Sequence, residues 1–176
     1  MKIRFTIAAL ALGAAGLQAG TPIQLSLTPD IALYSRDTEV HGLALDIWGE
    51  NPQASLNIGL VNGSTGESSG LSYGLVNYAE SYTGVQLGWV NISTGHFTGL
   101  QDGWVNLATG GLSGLQYGVV NISKVETKGL QLGVFNYANK LDGLQIGLVN
   151  IAPNNPAFDE FPDKLAPGFP ILNWSF

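Results

Sequence analysis

At 176 residues the chain is long enough for one domain with a sizeable core. Thirteen carboxylates against seven Lys and Arg give a net charge of −6, which argues against nucleic acid or an anionic surface as partner, and the lack of any Cys excludes disulfides and thiolate metal sites. Charged residues are only 11% of the chain and Gly occurs 24 times, a balance that does not suit amphipathic helices; after residue 20 no stretch is long and apolar enough for a membrane-spanning helix.

In chain order, the first element is a secretory signal peptide over residues 1–20. Lys2 and Arg4 precede an apolar run from Ile7 to Leu12, and small residues follow to a cleavage point near Ala19 or Gly20. Its removal leaves a single domain, residues 21–176, with five cations and thirteen carboxylates, a net charge of −8. The first strand is expected from Ile23 to Leu33.

Next comes an internal repeat, an octad of the form Gly, apolar, Gln, apolar, Gly, apolar, Val, Asn. Clear copies begin at Gly70, Gly84, Gly99, Gly114, Gly129 and Gly143. Ser55 opens a copy without its first Gly, and Gly42 opens a degenerate one. Starts lie 13 to 15 residues apart, and the closing Asn recurs at Asn62, Asn77, Asn91, Asn106, Asn121, Asn136 and Asn150. Large residues such as Val85, Leu87 and Trp89 alternate with Gly84, Gln86 and Gly88, the two-residue period of a strand. The segments between, Thr94-Gly95-His96-Phe97, Thr109-Gly110-Gly111-Leu112 and Ala138-Asn139-Lys140-Leu141, have the Gly and Asn of tight hairpin turns.

Two all-β architectures fit this period. In a β-solenoid each 14–15-residue repeat is one coil and its Asn and Gln stack into ladders, an option supported by the in-register Gln-x-Gly-x-x-Asn, which resembles the curlin repeat, although curlin repeats are longer. In an antiparallel up-and-down meander each repeat is one strand and neighbouring copies end in different environments. The residues two places after each Asn alternate, as Ser64, Ala79, Ser93, Ala108, Ser123 and Ala138, and this favours the meander.

With a last strand from Gly168 to Phe176 the meander has about ten strands, an even number that lets the ends meet and close a small barrel. The ending Leu172-Asn173-Trp174-Ser175-Phe176 looks like the C-terminal assembly signal of outer-membrane barrels, so outer-membrane lipid and the barrel-assembly machinery become the expected partners. Leu71, Tyr73, Leu75, Leu144, Ile146 and Leu148 would face lipid, and Gln101, Gln116, Gln131 and Gln145 the interior. Trp89 and Trp104 would belong to an interfacial aromatic belt, and Asp102 would interrupt the lipid face. The acidic, proline-rich segment from Pro153 to Pro167 would be an external loop.

The string Gly143-Leu144-Gln145-Ile146-Gly147-Leu148-Val149-Asn150 and its copies resemble a family of bacterial surface-repeat proteins. The opening Pro22-Ile23-Gln24-Leu25-Ser26-Leu27 and the closing Phe169 to Phe176 look like that family's ends. The resemblance implies a surface or envelope location and brings no reaction, catalytic residue or cofactor.

Chemistry-bearing residues are sparse. His96 sits in a turn; His41 has Glu39 and Asp46 nearby in sequence but no motif around it; Asp159, Glu160 and Asp163 match no calcium-loop spacing. The expectation is a small outer-membrane barrel with a structural, adhesive or accessory surface role, with no catalytic, cofactor or metal site; the alternative is an exported β-solenoid acting as a binding or assembly module.

Overall fold

The computed structural model describes residues 20–155 and 168–176, so the signal-peptide segment and the cluster Asp159, Glu160 and Asp163 lie outside the described residues. All regular structure among the described residues is β: β1 (Thr21–Thr28), β2 (Ile31–Ala32), β3 (Val40–Tyr73), β4 (Val76–Leu87), β5 (Val90–Ser93), β6 (Phe97–Asp102), β7 (Val105–Ala108), β8 (Leu112–Gly147), β9 (Val149–Ile151) and β10 (Ile171–Ser175). The two long elements, β3 and β8, each run through several coils of one solenoid.

Every copy of the repeat is stacked parallel on the one before it. Gly70 pairs with Gly84, Gly84 with Gly99 and Gly99 with Gly114, while Asn62, Asn77, Asn91, Asn106 and Asn121 pair in a second register. Each coil therefore has two strand segments, residues such as Phe97–Asp102 in one sheet and Val105–Ala108 in the other, joined by a bend at Gly103-Trp104 and a turn at Thr109-Gly110-Gly111.

This corrects the antiparallel barrel. The first and last strands do not meet: β1 pairs with the Val40–Asp46 part of β3, β10 pairs with Gly143–Gly147 of β8, and the sheet order places β10 and β2 at opposite ends. Among the described residues antiparallel pairing is confined to these caps, β1 with β2 and β10 with β8. The expected first strand is accordingly split in two, with a turn after Thr28. Parallel stacking wins because only it brings the same side chain of each copy to the same place. Buried amides can then bond to their own kind one coil away, whereas alternating directions would leave them without matched partners.

The Ser and Ala alternation does not mark opposite strand ends. Ser64, Ala79, Ser93, Ala108 and Ser123 pair in one buried column, a position with room only for small side chains. At two of the Ser positions the hydroxyl bonds to the adjoining turn, Ser93 Oγ donating to Glu80 O at 2.9 Å and Ser123 Oγ to Glu126 O at 3.0 Å, whereas Ser64 Oγ has no hydrogen-bond partner.

The expected hairpin turns are lateral bends within a coil, and of their Gly residues only Gly111 has a positive φ. The left-handed position is instead the first Gly of the octad. At Gly114, φ is 138° and a Cβ would lie 2.1 Å from the carbonyl oxygen of Gly99, so the chain can turn and stack there only as Gly.

The core is narrow. Gln86, Gln101, Gln116, Gln131 and Gln145 are fully buried, as is the Asn column from Asn62 to Asn136. Apolar side chains fill the gaps in two clusters, Ala79, Tyr82, Phe97, Ala108 and Leu112, then Ala138, Leu141 and Ala152. The Tyr82 and Phe97 rings stack at 6.0 Å.

Candidate functional site: an axial groove

Octad spacing decides what each coil shows to solvent. In a strand the second, fourth and sixth residues face away from the third, so an inward Gln leaves apolar residues outside. Gln101, Gln116, Gln131 and Gln145 do face inward, as expected of a barrel lumen, but into a solenoid core. Tyr73, Leu75, Ile146 and Leu148 are exposed, and Leu71 and Leu144 half-buried.

The fifth residue, Gly, shapes that outer surface. A Cβ at Gly88 would lie 2.6 Å from both Asn77 Nδ2 and Gly74 O, so the Gly leaves the space that the Asn side chain occupies. The Asn uses it to brace the bend: Asn91 Nδ2 donates to Asp102 O at 2.9 Å and to Asn106 Oδ1 at 2.8 Å. Outside, the same Gly column has no side chain at all. Between the fourth residues (Tyr73, Leu87, Asp102, Tyr117) and the sixth (Leu75, Trp89, Trp104, Val119) it forms the floor of a groove along the solenoid axis.

The groove has a volume of about 870 Å³. It runs from Leu60 to Ile146, six coils on, roughly 29 Å at the ~4.8 Å spacing of adjacent strands. Trp89 and Trp104 stack one coil apart, with ring centroids 5.7 Å apart and planes inclined by 14°. They are 59% and 66% exposed, so the pairing leaves much of both rings open to a partner. Among the described residues Asp102 is the one charged side chain on its walls. A second groove of about 680 Å³ continues the same column towards the N-terminus, between Leu25, Leu45 and Ile58 on one wall and Leu27 and Ile47 on the other, with Ser26 and Asp46 in the floor.

Asp46 stands where later coils have Gly, and Gly49 where they have Asn. The carboxylate of Asp46 occupies the freed space, since a Cβ at Gly49 would fall 2.1 Å from it. Burial pushes the Asp46 carboxyl above the usual carboxylate range. Tyr78 donates to Glu50 Oε2 at 2.6 Å and accepts from Trp48 Nε1 at 3.1 Å; burial and the Glu50 contact push its phenol up to about 12.

The turn edge, half a coil away from the groove, is polar. Among the Asp, Glu, Lys and Arg residues between Ser55 and Asn155, all except Asp102 lie in or beside these turns: Glu67, Glu80, Lys124, Glu126, Lys128, Lys140 and Asp142. Lys140 donates to Glu126 at 2.7 Å, which holds the Glu126 carboxyl below the usual range, and Lys128 lies 3.3 Å from it.

His41 and His96 lie on different coils. His41 Nε2 is 3.5 Å from Glu39, and His96 Nε2 is 3.1 Å from Ser113 Oγ. Asp46, close to His41 in sequence, is buried at the groove floor, so the structure assembles no acid-base pair with it. Among the described residues no three His, Asp or Glu side chains gather as metal ligands would. The groove itself escaped the sequence, although its signal was there: a column of Gly flanked two residues apart by large apolar side chains. No known family model matches the chain, and no characterised protein or solved structure shows significant similarity to it.

Proposed function

We propose that this chain is an exported, non-catalytic β-solenoid that works as a binding or assembly module, with the axial groove as its working surface. The observation that carries this is the segregation of side chains: Asn and Gln bond to one another in two ladders inside, while exposed Tyr73, Trp89, Trp104 and Tyr117 border an uninterrupted Gly floor outside. Contiguous exposed apolar surface of this extent is typical of interaction sites, and Trp and Tyr are the residues that give such sites much of their affinity. Residues 1–20 supply the expectation of export, and the surface-repeat resemblance agrees with an envelope location.

The test is binding of a polarity-sensitive apolar dye to the mature protein. Strong fluorescence enhancement is expected, reduced at least threefold by Trp89→Ser or Leu87→Ser and unchanged by Lys124→Ser at the turn edge. Absence of enhancement, or equal loss in the turn-edge variant, would refute the groove as the working surface.

A further inference from the structure

Resting on that reading, we propose that the partner of the groove edge is lipid hydrocarbon: the solenoid lies along a membrane surface with its groove edge in the apolar layer and its turn edge in water. Three observations converge.

The first is the sidedness of charge. The ionic side chains from Glu67 to Asp142 sit on the turn edge, Asp102 apart, and the groove edge is half a coil away. This is the arrangement of an amphipathic helix at an interface, produced here by a β-coil. The second is backbone saturation. In the repeat coils each strand segment bonds to the coils before and after it, as β6 does to β4 and β8, so the groove edge carries few unpaired N–H or C=O groups into hydrocarbon. The third is shape. Apolar residues continue round the edge onto both sheets, with Val119, Val134 and Ile146 on the groove and Val105 and Val149 beyond it, all exposed. A fluid can cover a surface that turns a corner; a rigid second copy would reach one side of it.

The net charge refines the partner. At −6 for the whole chain, attraction to anionic headgroups cannot supply the binding, so a neutral bilayer is the expected surface. Asp102 opposes insertion, because a carboxylate at apolar depth is unfavourable. It stands in a column with Leu87 and Tyr117, where an apolar residue is the rule.

The experiment is flotation of the mature protein with phosphatidylcholine vesicles, alongside sedimentation without lipid. Wild-type protein is expected to float. Adding anionic phosphatidylglycerol should not increase the bound fraction, and raising the salt should not release it. The double variant Trp89→Ser/Trp104→Ser should lower partitioning at least tenfold, Asp102→Leu should raise it about tenfold, and Lys124→Ser should leave it within twofold.

Protein that stays unbound while still enhancing the apolar dye would overturn the lipid assignment and leave the binding-module proposal standing. Failure in both assays would remove both. A lipid-independent dimer abolished by Trp89→Ser/Trp104→Ser would make a second copy the occupant, and binding that requires anionic lipid would overturn insertion of the groove edge. Circular dichroism of each variant separates loss of fold from loss of binding.

Discussion

The side-chain amide of Asn106 donates to Asn121 Oδ1 at 2.9 Å, in the opposite sense along the axis to the neighbouring ladder, where Gln116 donates back to Gln101 at 2.8 Å. The Asn ladder passes its donors towards the C-terminus, from Asn62 through Asn77, Asn91, Asn106, Asn121 and Asn136 to Asn150. The Gln ladder passes them towards the N-terminus, and Asn173 in β10 closes it by donating to Gln145 Oε1 at 2.8 Å. Two rows of amide dipoles thus run antiparallel through the core.

Breaking the Asn ladder at its centre strands partners on both sides. Asn106→Ala removes the acceptor of Asn91 and the donor to Asn121 and Tyr117 O. A loss of about 3 kcal/mol is expected from the buried groups left unpaired, read from the denaturant midpoint. Asn150→Ala has only one ladder neighbour and should cost less, about half as much.

The two kinds of positive-φ Gly should respond differently. Gly66, at φ 61° with open space around it, should tolerate Ala at a cost of about 1 kcal/mol. Gly114→Ala drives a methyl into the preceding coil's backbone and should cost about 4 kcal/mol or prevent folding. Thermal unfolding of the two variants side by side is the check.

Asp46 gives a pH dependence whose sign is fixed. Its folded pKa is raised from the ordinary 3.8, so folding favours the protonated carboxyl. Its contribution is then fully present below that ordinary value and is lost as pH rises through the raised one. Asp46→Asn should therefore stabilise the protein at neutral pH, with the gap to wild type closing below about pH 4.

The same position offers a repair. Asn62 Oδ1 has no protein donor because Gly49 replaces the preceding Asn, and Asp46 fills the gap. Gly49→Asn alone should destabilise, since its Cβ would meet the Asp46 carboxylate. The pair Asp46→Gly/Gly49→Asn restores the Gly and Asn of the octad, extends the Asn ladder by one amide and should gain about 1 kcal/mol over wild type, measured by chemical denaturation.

Hydrogen exchange should be uneven along the axis. Among the described residues, seven have buried side-chain polar atoms without a hydrogen-bond partner, and five of these, Ser26, Asp46, Asn57, Asn62 and Ser64, lie in the N-terminal coils, the others being Gln86 and Thr127; Gln116, Asn121 and Gln131 are bonded on both sides. Backbone amides of residues 40–64 should exchange faster than those of residues 114–136, and equal protection would contradict the ladder as the source of stability.

Taken alone, the octad determined that the protein is β, that Gln faces inward, and that Leu, Trp and Tyr face out. Side-chain alternation is a local property of a strand, so these assignments hold whether neighbouring strands run parallel or antiparallel. Direction was the part the tertiary structure decided. Ser93 and Ala108 read in sequence as opposite ends of two strands, yet they stack in one column, because the buried amides bond to their own kind only when every coil runs the same way. That choice also turned separate Gly residues such as Gly88, Gly103 and Gly118 into one continuous floor, a site made by stacking and not by any single repeat.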